Sequence, residues 1–209
     1  MALLLQPTFF APIVQYVAMA LESDIIFEKH DNFQKQTYRN RCYIYGANGK
    51  QLLTVPVHRS ENGGRQKTKD IKIDNSFPWK RNIIRSLESS YRSSPYFEYY
   101  EDDIVKVFEK DYDYLLDLNL FAHEVISESL QLEETLSYSN SFELESKVSL
   151  DMRHLASAKK APLYDFEKYT QVFDDKHGFI SNLSILDLLF NEGTNALDYL
   201  QQQIEIVKI

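Results

Sequence analysis

The densest chemistry in the sequence lies in the run Lys35-Gln36-Thr37-Tyr38-Arg39-Asn40-Arg41. Lys35 offers a point charge with three donors, and Arg39 and Arg41 are planar forks that match phosphate or carboxylate oxygens two at a time. Gln36, Tyr38 and Asn40 add neutral hydrogen bonds. Such a set suits an anion. In an extended segment the period of two puts Arg39 and Arg41 on one face. The competing reading is a solvated basic edge strand, which deters edge-to-edge pairing; residue types alone leave both open.

Proton transfer needs a group that titrates near neutrality, and histidine is the usual one. The five histidines are His30, His58, His123, His154 and His177. None has the HxH or HExxH spacing of a metal centre, so no metal site is assigned. His30, beside Asp31 at the end of an expected strand, and His58, after Thr54-Val55-Pro56-Val57, are the candidate catalytic groups; each alone also reads as a hydrogen-bonded surface histidine. The acidic run Glu98, Glu101, Asp102 and Asp103 reads better as a solvated helix face than as a Mg²⁺ site. Cys42 is the lone cysteine, which excludes an internal disulfide and a thiolate zinc cage and is expected to be a buried apolar thiol. Glycine-rich phosphate loops, Walker loops and serine-nucleophile elbows are absent.

The elements that must hold these residues begin with an apolar run over 2–6, a helix from Pro12 to Leu21 and a second apolar strand at Asp24–Phe27. Strand, helix and strand so close together predict a parallel βαβ unit with a right-handed crossover. Ligands of such sheets gather beyond the carboxyl ends of the strands, which sets Gln6-Pro7-Thr8 and Glu28-Lys29-His30-Asp31 at one mouth. Residues 41–45 and 50–55 flank Gly46-Ala47-Asn48-Gly49 and predict a hairpin. Ser60–Gly64 reads as a mobile loop and Ile71–Ile73 as a short strand.

Ser76 before Phe77-Pro78-Trp79 reads as the cap of a helix running towards Tyr91, and Ser94-Pro95 as the start of another over 96–110. Further helices are expected over 114–130, 185–190 and 195–203, with Ser181 or Asn182 capping the second of these and Gly193 stopping it. Residues 135–139 read as a returning strand and 146–177 as a long irregular excursion. The whole is an α/β single domain over 1–209: a mixed, partly parallel sheet flanked by helices, strand-rich and basic over 1–75, mainly helical and acidic over 76–209.

The net charge of −8 conceals this asymmetry: residues 28–92 hold 14 Lys/Arg against 6 Asp/Glu, and the rest holds 9 against 25. An acidic chain with a local basic segment repels duplex phosphates at long range, so nucleic acid is not an expected partner. A small phosphorylated ligand fits better. No basic, apolar leader opens the sequence and no run approaches the ~20 apolar residues of a membrane span; a cytoplasmic location is expected.

Several segments, in order, resemble the WbqC-like family of bacteria. They are Gln6-Pro7-Thr8-Phe9-Phe10 with Tyr16, Lys35–Arg41, Leu53-Thr54-Val55-Pro56-Val57, Trp79 through Tyr91 to Ser94-Pro95-Tyr96-Phe97, Gln171-Val172-Phe173, His177-Gly178-Phe179 and Asn182–Phe190. The chain departs from the family's pattern after Trp79, where Lys80-Arg81-Asn82 stand in place of a histidine. The resemblance implies a role in surface-polysaccharide (O-antigen) production, and a transferase moving an aminoacyl or glycyl group to an amino sugar on a nucleotide or lipid diphosphate. It favours a site at Lys35–Arg41 and carries Gln6 and Tyr16 into the substrate-binding candidates beside Lys35, Gln36, Tyr38, Arg39, Asn40 and Arg41. A non-catalytic phosphosugar- or nucleotide-binding protein of the same pathway is the alternative. The expected partner is a sugar nucleotide or other small phosphorylated ligand; a homodimer stays open, and no cofactor is assigned.

Overall fold

A computed structural model describes residues 2–58, 64–144, 149–159 and 162–207. The expected loop at Ser60–Gly64, Gly64 apart, and residues 146–148 and 160–161 of the expected excursion lie outside them. Four short strands form a parallel sheet: β1 (Ala2–Leu5), β2 (Asp24–Phe27), β5 (Thr135–Tyr138) and β6 (Ser149–Asp151), in the order β5-β2-β1-β6. β3 (Arg41–Gly46) and β4 (Gly49–Thr54) make a separate antiparallel hairpin. Its turn is tighter than the sequence suggests, with only Ala47 and Asn48 between the strands and Gly49 at φ 92°, a conformation glycine adopts at little cost.

β1 reads as a continuous apolar run because it is central and covered on both faces; Leu3 and Leu5 are fully buried. The edge strands β5 and β6 are short and mostly exposed, which limits their value as templates for further pairing. Among the described residues seven α-helical segments surround the sheets: α1 (Ile13–Leu21), α2 (Trp79–Tyr91), α3 (Phe97–Glu109), α4 (Leu115–Leu130), α5 (Asp174–His177), α6 (Ile185–Glu192) and α7 (Ala196–Gln202). α1 packs on α7 and α6, α3 on α4, and α2 on the hairpin. Among the described residues no helix is long and apolar enough to cross a membrane. Cys42 is buried beside Ser184, and burial pushes its thiol up to about 12.

The helix starts differ from those read in the sequence. Pro78 and Tyr96 occupy the N-cap positions of α2 and α3, while the Ser76 hydroxyl donates to Asp74 and the Ser94 hydroxyl to the Tyr91 carbonyl. Ser184 caps α6, its Oγ accepting from the Leu186 amide. Asn182 serves another helix: held at φ 54°, its Oδ1 accepts from the Val14 amide at 2.9 Å, and the Leu183 carbonyl accepts from Ile13. Pro12 has no side-chain donor or acceptor to close the N-terminus of α1, so a distant segment satisfies those amides. Ile71–Ile73 forms isolated bridges rather than a strand, through Val57 and Ile73 and through Lys72 and Tyr114.

Candidate functional site

The parallel strands all point their carboxyl ends the same way, and the backbone continues the ladder one residue further: the Glu28 amide donates to Leu5, Ser139 to Phe27 and Met152 to Leu4. Gln6, Glu28, Ser139 and Met152 therefore stand in a row at the rim of the sheet. Beside them opens a cleft of about 410 Å³ lined by residues including Gln6, Asp31, Thr37, Arg39, Asp151 and Arg153.

Its lining carries a charge network, buried at Arg39 and Asp31 and partly exposed at Arg153 and Asp151. Asp31 Oδ2 accepts from the Arg39 guanidinium at 2.7 Å and from Gln6 Nε2 at 3.0 Å, with Arg39 2% and Gln6 1% exposed. Burial lowers the Arg39 pKa, against the pull of Asp31 and Glu28. Arg153 forks both oxygens of Asp151 and donates to the carbonyls of Glu143 and Leu144, and its guanidinium sits 5.2 Å from the centre of the Phe142 ring. The bond to Asp151 raises the Arg153 pKa, and Arg153 in turn holds the Asp151 carboxyl below its ordinary value. Behind them Glu28, 1% exposed, accepts from the Ser139 hydroxyl and the His30 amide and lies 3.8 Å from Arg153. Two polar atoms of the lining are buried and unpartnered: Gln6 Oε1 and Arg39 Nε.

The candidates read from the sequence separate in space. Gln6 and Arg39 line the cleft. Lys35 and Gln36 are exposed in a turn between the lining residues Gln34 and Thr37, with Gln36 at φ 60°. Arg39 lies in a 3₁₀ turn, Tyr38–Asn40, so the period of two does not apply: Arg41 starts β3 opposite Thr54 and is not among the lining residues. Tyr38 is buried edge-on to Tyr43, its hydroxyl pushed up to about 12 by burial. Asn40 ties the chain to Val55 through its Nδ2 and its carbonyl. Tyr16 is buried in α1, its hydroxyl 3.2 Å from His123 Nδ1, with His123 Nε2 2.8 Å from Glu134. His30 is half-buried just past β2, and His58 is exposed near Asp74; neither lines the cleft.

Sequence reasoning missed Asp151, Arg153 and His154, all lining residues. They follow a three-residue strand inside the stretch read as irregular; the available signal was the apolar Leu150 before a dense Asp-Met-Arg-His cluster. Among the described residues no cluster of three or more ligating side chains could hold a metal ion.

A sequence profile of the WbqC-like protein family matches residues 6–164, a span that contains every charged residue of the cleft named above. The chain is also 26% identical, over an alignment that covers 88% of it and 90% of the relative, to the uncharacterized protein Rv1507c of Mycobacterium tuberculosis (strain ATCC 25618 / H37Rv). No solved structure matches the chain.

Proposed function

The chain belongs to the WbqC-like protein family, and from that premise we propose that the cleft binds an amino sugar carried on a nucleotide or lipid diphosphate and that the protein transfers an aminoacyl group, such as glycyl, to the sugar's amine. The observation that carries this reading is the pairing of opposite charges at the mouth of the parallel sheet: Arg39 with Asp31 and Arg153 with Asp151, with Glu28 behind. Guanidiniums suit phosphate oxygens, and the carboxylates suit an ammonium or hydroxyl on the same molecule. A purely basic pocket would suit a bare polyanion better. The setting is bacterial surface-polysaccharide (O-antigen) production in the cytoplasm.

In the transfer the amine nitrogen attacks the carbonyl carbon of a separately activated donor. The new C–N bond forms, the bond to the donor's leaving group breaks, and the amine proton passes to His154, the histidine that lines the cleft. Holding both reactants in register supplies much of the rate. A non-catalytic phosphosugar-binding protein is the second reading, favoured by the engagement of both guanidiniums in ion pairs within the protein.

A thermal-shift comparison of UDP-glucosamine, UDP-N-acetylglucosamine, UDP and glycine tests binding, since a ligand of the folded state raises the melting temperature. UDP-glucosamine is expected to stabilise most, and Arg153→Ala to erase the shift. No shift with any of the nucleotides sinks the cleft assignment. With an activated glycyl donor, mass spectrometry of the acceptor reads turnover: His154→Asn should stop it and leave binding intact. Binding without turnover in the wild type selects the second reading.

A further inference from the structure

The 3₁₀ turn Arg153–Ala156 divides two cavities. With about three residues per turn, successive side chains leave such a turn in different directions. Arg153 enters the charged cleft, Leu155 lines a neighbouring cavity of about 270 Å³, and His154 borders both. The second cavity is mainly apolar: Met152, Leu155, Tyr164 and Val207 line it, with Leu163, 99% exposed, and half-buried Ile206 at its edge. A leucine left almost wholly in water beside an apolar hollow that adjoins a charged cleft is the pattern of a site for a molecule with two unlike ends.

We propose that the ligand is bipartite: a phosphorylated head held by Gln6, Arg39 and Arg153, and an apolar acyl or aryl group seated in the Leu155 cavity, the two meeting at His154. This rests on the charged cleft being the ligand site.

Calorimetric titration of the full chain with inorganic phosphate, phenyl phosphate and 2-naphthyl phosphate tests the proposal and separates it from the reading beneath it. 2-Naphthyl phosphate should bind about tenfold more tightly than phosphate, because even part of a naphthyl surface removed from water carries that much affinity. Leu163→Glu and Ile206→Glu, at the edge of the cavity rather than in the core, should abolish the aryl gain and leave phosphate affinity within about twofold, as expected for independent sites. Equal affinity for phosphate and the aryl phosphates overturns the bipartite ligand while sparing the charged cleft. An aryl gain that survives both variants does the same. Naphthyl binding without phosphate binding, or no binding of either, overturns the proposal together with the cleft.

Discussion

Two buried carboxylates sit in contrasting surroundings. Asp187, fully buried on α6, accepts from the hydroxyls of Tyr91 and Tyr169 and from Gln171 Nε2 at 2.6–2.8 Å, all neutral donors. Asp31, at the sheet's mouth, is held by a charged guanidinium and a carboxamide whose remaining groups, Arg39 Nε and Gln6 Oε1, find no partner. The first network fastens α6 to α2 and to the segment before α5. The second is incomplete and borders a cavity. Buried polar groups are nearly always satisfied, so the contrast separates a network finished by the fold from one left open at the edge of a cavity.

The largest effect should come from breaking the unfinished network. Asp31→Asn strands the Arg39 charge in a buried setting and should cost about 3–5 kcal/mol in urea unfolding. The double replacement Asp31→Leu with Arg39→Met should recover most of that stability while abolishing the response to phosphorylated ligands. A double variant that still responds would show that Arg39 does not hold the ligand. In the finished network Tyr169→Phe should cost less, about 1–3 kcal/mol for a carboxylate deprived of one donor, with the ligand-induced thermal shift unchanged.

The two regions should also differ in how they respond to pH. Burial raises the Asp187 carboxyl above its ordinary value against the pull of its three donors. The folded chain therefore keeps that proton to higher pH than the unfolded chain. The stability it brings is complete below the unfolded carboxyl's pKa and is lost as pH rises through the folded one. Asp151, lowered by Arg153, runs the other way: its contribution is present above the unfolded value and lost as pH falls through the folded one, and its exposure to solvent keeps it small. Urea midpoints measured across the acidic range should lose their decline with rising pH in Asp187→Asn and change little in Asp151→Asn; matching slopes in wild type and Asp187→Asn would contradict this. The smallest effect should be Arg153→Ala, below about 1 kcal/mol for a partly exposed pair, detected as faster amide exchange at Leu144.

The regularly patterned parts of the molecule were the legible ones. Two apolar runs around an apolar helix have few parallel arrangements, so the βαβ unit and the mouth beyond its strands followed from pattern. Gln6 was found by its place just past the first strand, and Arg39 by the density of donors in the run 35–41. Residues 38–40 close into a 3₁₀ turn, a local choice that alternation does not reveal, and this separates Arg39 from Arg41. β6 is three residues long, too short for any period to register, so Asp151, Arg153 and His154 stayed hidden beside it. The Asn182 cap on α1 joins residues 168 apart, beyond the reach of local rules.

That cap bears on how the chain comes to be folded during synthesis. β1 and α1 are made well before the segments that complete them: β1 gains its outer neighbour with residues 149–151, and the first turn of α1 is closed by residues 182–183. Pairings so distant must wait for loop closure. Until those later segments are made, the β1–α1 unit keeps an open strand edge and unclosed amides, and chaperone demand should be greatest before Asn182 is made.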